Sequence, residues 1–135
     1  MAGENSDFVR GVYEAFGRGD VPTVLGSFDS DIEWHEADGL PYGGVYHGPE
    51  AVAQNVFGPL TEDIPDFALG VEEVFDSGDR VAAFGRYTGT AKETGMQLNV
   101  PFAHAWTVRG GKAVAFHQYV DTAKFNEVLA AQPAT

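Results

Sequence analysis

At Phe67 the apolar spacing of this chain switches from a helical period to a two-residue period, and that switch restricts the folds open to it. Upstream, Phe8, Val9, Val12, Tyr13 and Phe16 share one helical stripe, which the glycines at 17 and 19 end. Asp20 fits the N-cap of a second helix with Pro22 in its first turn. Ile32, Trp34 and Glu36 then alternate with Glu33 and His35 as in a half-buried strand. "HGPEAVAQNVF" (47–57) restarts a helix with Pro49 in its first turn, and Pro59 is expected to end or kink it. Downstream, "FALGVEEVF" and "RVAAFGRYTGT" are joined by "DSGD", and "QLNVPFAHAWTV" and "KAVAFHQYV" by "RGG", which reads as two hairpins. "TAKFNEVLAA" (122–131) closes the chain as a helix behind a Thr122 cap. Helices followed by antiparallel strands give an α+β fold, a curved sheet with helices on one face, in a single domain spanning 1–135.

The more apolar face of each strand carries one polar interruption. These faces read Ile32, Trp34, Glu36; Ala82, Phe84, Arg86, Thr88; Leu98, Val100, Phe102, His104, Trp106, Val108; and Val114, Phe116, Gln118, Val120. A buried ionised group costs several kcal/mol, to order of magnitude, unless it is paired. Four such residues on converging strands point to a cavity lined by aromatics with a few polar groups. Glu36, His104 and Arg86 are the candidate catalytic groups, and Tyr13, Trp34, Phe84, Phe102, Trp106, Phe116 and Gln118 the candidate ligand-binding ones. The alternatives are a hydrogen-bonded core histidine at 104, an Arg86 that merely neutralises Glu36, and a structural Gln118.

A formal charge of −12 with eight scattered Lys and Arg disfavours nucleic acid and anionic membrane surfaces. A small neutral molecule or another protein is the expected partner. No metal and no cofactor are expected: His35, His47, His104 and His117 lack metal-ligand spacing, "HEADG" lacks the second His of a zinc motif, and no phosphate loop or "GxSxG" is present. The absence of Cys rules out thiolate chemistry. "MAGENSDFVR" lacks the basic-then-apolar order of a secretory signal, so the expected location is cytoplasmic.

The stretches "YEAFGRGD", "FDSDIEWHEADGLPYGGVYHGPEAV" and "PFAHAWTVRGGKAVAFHQYVDTAKF" resemble the nuclear transport factor 2-like superfamily, in its SnoaL-like branch near ketosteroid isomerases, polyketide cyclases and limonene epoxide hydrolase. The resemblance implies a cone-shaped curved antiparallel sheet packed around helices, the cystatin-like α+β barrel, with a pocket at its open end. It places Glu36 where the isomerases keep an Asp base, and His104 and Gln118 where the cyclases keep a pocket His and an acid/base Asp. Arg86, allowing a one-residue gap, resembles the hydrolase's Arg, with Thr88 and Gln118 in place of its two Asp residues. Ala103 replaces the isomerases' oxyanion-hole Asp, and Tyr13 is one residue from their oxyanion-hole Tyr.

Beside a purely structural interaction domain, for which Tyr119 and His117 on the sheet's other face are the evidence, two functions remain open on these residues. One is a cofactor-independent isomerase, cyclase or hydrolase acting by proton transfer on a small uncharged apolar ligand, with Glu36 as base, His104 as donor or acid, and Arg86 or Tyr13 stabilising oxyanion charge. The other is a non-catalytic ligand-binding or regulatory domain. A Glu36 desolvated in an apolar pocket has a raised pKa, whereas a partnering Arg86 depresses it. A homodimer is expected through the outer sheet face, where Ala113, Ala115, His117 and Tyr119 are too apolar for a solvated surface.

Overall fold

The computed structural model describes residues 3–130. Ala131, the expected end of the closing helix, lies outside the described residues. In chain order the elements are α1 (Glu4–Gly17), α2 (Val21–Gly26), β1 (Phe28–Glu36), β2 (Gly44–His47), α3 (Pro49–Val52), a π-helical turn (Ala53–Phe57), α4 (Gly58–Asp63), β3 (Ala68–Ser77), β4 (Arg80–Thr90), β5 (Gln97–Arg109), β6 (Lys112–Val120) and α5 (Thr122–Ala130). The strands form one six-stranded sheet in the order β2-β1-β6-β5-β4-β3. This is the α+β fold expected from the period switch. One pair departs from the expected antiparallel pattern: β1 runs parallel to β6, with Trp34 opposite Phe116.

The helix signals are used as the sequence suggests, with two exceptions. Asp20 caps α2, accepting from the Thr23 backbone N–H at 3.2 Å. Pro59 does not end its helix; the chain passes through the π-turn and resumes as α4, where Pro59 sits in the first turn and its missing N–H is tolerated. The cap of α5 is Asp121 and not Thr122, since the Asp121 carboxylate accepts from the Lys124 N–H at 3.0 Å.

Strand phase decides what faces the concave side. In β1 the buried positions are Phe28, Ile32, Trp34 and Glu36, and in β5 they include Leu98, Val100, Phe102, His104 and Trp106, as the alternation requires. In β6 the ladder pairs Val108 with Ala113 and Thr107 with Ala115, so Val114 is the extra residue of a bulge. Ala113 is consequently buried in the core rather than on the outer face expected for it.

β4 runs in the opposite phase to the one its apolarity suggests. Val81, Ala83, Gly85 and Tyr87 face in, and Phe84, Arg86 and Thr88 are exposed. A one-residue change of phase sends every side chain to the other face. Gly85 fixes this phase, because a Cβ there would stand 2.0 Å from the Gly70 carbonyl oxygen and 2.9 Å from the Phe102 ring. The glycine lets β3 approach closely, beside the register shift between Val71 and Glu73. On the outer side Phe84 finds Phe75, ring centroids 5.9 Å apart, and both stay exposed.

Two apolar clusters fill the concave side. One joins α1 and α2 to Trp34, Trp106 and Phe116; the other joins Leu60, Ile64, Tyr87, Phe102 and Phe125. Burying a side chain such as Phe116 or Phe125 contributes about 1.5–3 kcal/mol. Tyr13 belongs to the first cluster and Tyr87 to the second. His104 lies between the two phenols, which locates the polar seam of the molecule.

Candidate active site

A cavity of about 50 Å³ opens between the sheet and the helices. β1 supplies Trp34 and Glu36, β4 Tyr87, β5 His104 and Trp106, and β6 Phe116 and Gln118. The helical wall is Val12, Tyr13 and Phe16 from α1, Val56 and Phe57 from the π-turn, and Leu60 from α4. Trp34 and Phe116 are stacked with ring centroids 3.7 Å apart, a pairing the parallel β1–β6 register dictates.

Glu36 is 4% exposed, and the Trp34 indole Nε1–H donates to its Oε1 at 2.8 Å. Burial pushes its pKa up to about 7, against smaller opposing effects of hydrogen bonds from Trp34 and Gln118. The Gln118 amide also spans the seam, its Oε1 accepting from the Ala37 N–H at 3.0 Å and its Nε2–H donating to the Tyr87 hydroxyl at 2.9 Å. His104 is fully enclosed, and burial lowers its pKa to about 3, so it is a neutral imidazole at physiological pH. Its Nδ1 lies 2.7 Å from the Tyr13 hydroxyl, its Nε2 bonds the Tyr87 hydroxyl, and Trp106 Nε1–H donates to Tyr13 at 2.8 Å. Burial raises the pKa of both phenols, which therefore stay protonated.

The structure thus brings together Glu36, His104, Tyr13, Trp34, Trp106, Phe116 and Gln118. It corrects three other expectations. Arg86 is on the outer face, donating through Nε to the Asn99 side chain at 2.6 Å, so it does not balance Glu36. Phe84 is also outside, 39% exposed. Both follow from the reversed phase of β4. Phe102 is buried but stands behind the site, stacked on His104 at 4.1 Å and Tyr87 at 4.5 Å, without reaching the cavity wall. A neutral His104 also lacks the spare proton of a general acid. Sequence reasoning missed Tyr87, although "VAAFGRY" read in the other phase puts it inward. It also missed the helix-borne wall at Val56, Phe57 and Leu60.

Glu36 and Gln118 also border a second, open groove of about 430 Å³, together with His35, Asp38, Val45, His117 and Tyr119. The two side chains thus line both the inner cavity and this larger outer groove.

A family model described as a SnoaL-like domain matches residues 9–116. None of the curated proteins searched matches the chain. Among solved structures, an NTF2-like protein from Burkholderia thailandensis is 33% identical, with 94% of this chain and 96% of that one covered and a TM-score of 0.89. An NTF2-like protein of unknown function from Burkholderia pseudomallei is 34% identical over 97% of this chain and 100% of that one, with a TM-score of 0.88. TerC, co-crystallised with polyporic acid, is 25% identical over 94% of this chain and 98% of that one, with a TM-score of 0.85. With its curved sheet closed over helices and a family match through most of its length, the chain belongs to the SnoaL-like family of NTF2-like proteins.

Proposed function

We propose that the protein is a cofactor-independent enzyme that moves a proton on a small, uncharged, largely apolar ligand, with Glu36 as the general base. One observation carries this reading: a carboxyl 4% exposed on the wall of an aromatic cavity, with hydrogen bonds but, among the described residues, no cation beside it. A structural carboxylate at that depth would need a paired charge. A pKa near the working pH is what a base needs to take a proton and return it. Neutral His104 holds the two phenols in place, and a phenol O–H facing the cavity supplies a hydrogen bond to whatever charge develops on the ligand.

The inner cavity is smaller than the roughly 300–1,000 Å³ of ordinary small-molecule sites. Ligand entry therefore requires its wall to re-pack. The π-turn carrying Val56 and Phe57 is the segment built for that, since one extra residue per turn leaves its backbone hydrogen bonds least regular. TerC, co-crystallised with polyporic acid on the same fold, supports a ligand here.

Both tryptophans of the chain line the cavity, so intrinsic fluorescence reports occupancy directly. The test is solvent-deuterium incorporation into apolar ketones by NMR, in wild type and Glu36→Gln, alongside fluorescence titration. Exchange catalysed by wild type and lost in Glu36→Gln with binding retained is expected. Binding that quenches fluorescence with no exchange in either protein leaves the ligand-binding reading in its place.

The proposal includes a homodimer through the outer sheet face, where Val45, Phe75, Phe84 and Tyr119 are 39–60% exposed. Analytical ultracentrifugation should show a dimer at micromolar concentration that Tyr119→Lys weakens. A stable wild-type monomer rejects it.

A further inference from the structure

A neutral imidazole carries one ring hydrogen, and His104 stands between two phenols, Tyr13 at Nδ1 and Tyr87 at Nε2. Two hydrogen bonds consume two hydrogens, while these three groups hold three. Whichever ring nitrogen is protonated, one phenol donates to the ring and the other accepts from it. The accepting phenol keeps its own hydrogen for a different partner. Neighbours on the far side cannot take it: Trp106 Nε1–H and Gln118 Nε2–H are themselves donors to Tyr13 and Tyr87. The surplus hydrogen is left for the cavity that both phenols line.

Two arrangements satisfy this count, and charge selects between them. The groups facing His104 are Tyr13 from α1, Tyr87 from β4, Trp106 from β5, and Gln118 and Phe116 from β6, with Glu36 on β1 across Gln118. Of these, Glu36 is the one that ionises near neutral pH. Gln118 links the carboxyl to Tyr87, donating to that hydroxyl at 2.9 Å, whereas Tyr13 is bonded on its far side to Trp106; after the larger effect of burial, the Glu36 charge raises the pKa of Tyr87. An ionised carboxyl therefore draws the free hydroxyl hydrogen to Tyr87.

We propose that Tyr87 is a substrate-positioning residue set by His104: with Glu36 ionised, the ring is protonated on Nε2, Tyr13 donates to Nδ1, and Tyr87 offers the free O–H to a neutral oxygen or nitrogen acceptor on the ligand. The donors then run head to tail from Trp106 through Tyr13 and His104 to Tyr87, an order in which each bond polarises the next. The ligand class narrows accordingly, to apolar molecules with one hydrogen-bond acceptor facing the Tyr87 hydroxyl. This rests on Glu36 being the titrating carboxyl of the cavity.

The experiment is two-bond proton–nitrogen correlation NMR on the full chain labelled in its histidines, at pH 8 and pH 5, with no ligand. Wild type at pH 8 should show His104 protonated at Nε2, with a measurable move toward Nδ1 as Glu36 takes up its proton. Glu36→Gln should make the same move at both pH values. Tyr13→Phe should keep the Nε2 form and Tyr87→Phe should convert the ring to the Nδ1 form. A ring protonated at Nδ1 in wild type at pH 8, or one indifferent to pH and to Glu36→Gln, overturns the assignment of Tyr87. The two failures separate cleanly. If Glu36 titrates near neutral pH but the ring does not follow, the base stands and Tyr87 falls; if Glu36 titrates in the ordinary carboxylate range, both fall.

Discussion

Replacing Glu36 by Gln removes the group whose protonation differs most usefully between folded and unfolded chains. Burial raises its pKa from an ordinary 4.5 to about 7, so above pH 4.5 the unfolded chain gives up a proton that the folded one still holds. Ionised Glu36 costs the fold stability, at about 1.4 kcal/mol for each pH unit between the two values, or about 3 kcal/mol once pH exceeds the folded pKa. Gln mimics the protonated acid, and its amide oxygen can still accept from Trp34. The variant should match wild type near pH 4 and exceed it by about 3 kcal/mol at pH 8.

His104 acts with the opposite sign. Its pKa falls from 6.5 to about 3, so below pH 6.5 the unfolded chain binds a proton that the folded one refuses, and stability is lost as pH falls. Between pH 4.5 and 6.5 the two groups offset each other, and together they add almost no pH dependence. In Glu36→Gln the His104 contribution is no longer offset, and it slopes by about 1.4 kcal/mol per pH unit below pH 6.5. Urea denaturation followed by fluorescence of Trp34 and Trp106, at half-unit steps from pH 4 to 8, reads the difference between the two proteins, in which other titrating groups cancel. A stability difference independent of pH, or a variant less stable than wild type at pH 8, refutes the account of Glu36 as an unpaired buried acid.

Arg86→Ala should change stability by no more than about 0.5 kcal/mol and leave the Glu36 titration in place, since the side chain is exposed and bonded to Asn99; NMR titration of the carboxyl checks this. Gly85→Ala should cost about 2–3 kcal/mol or prevent folding, because the new methyl meets the Gly70 backbone at 2.0 Å and the strand cannot retreat; the urea midpoint measures it. His104→Phe should keep the stack on Phe102 yet strand the Tyr13 and Tyr87 hydroxyls, destabilising the fold by about 1–3 kcal/mol at neutral pH and flattening the acid limb of the Glu36→Gln profile.

What the sequence shows and what it hides follow from the same physics. β1 and β5 were legible because their outer positions are charged, small or polar, so alternation had contrast: Glu33 and His35 on one strand, Asn99 and Pro101 on the other. β4 has no such contrast. Its outer face carries Phe84, which packs on Phe75, and its inner face carries Gly85, whose missing side chain is the reason β3 can come so close. Counting apolar residues therefore picks the wrong face, and Arg86 and Phe84 go inward on paper while Tyr87 goes out. That single slip matters chemically. With Arg86 inside, Glu36 is a paired charge with a depressed pKa; with Tyr87 inside, it is an uncompensated acid facing a hydroxyl. The bulge at Val114 and the π-turn at 53–57 were equally invisible, because each inserts one residue into a regular ladder without any Gly or Pro inside it to mark the place. Glu36, His104 and Gln118 were nevertheless legible as inward-facing polar groups, each by its being the polar residue on a strand face that should have had none. A site built by placing polar groups in an apolar cavity announces those groups in the sequence, while the backbone irregularities that aim them do not.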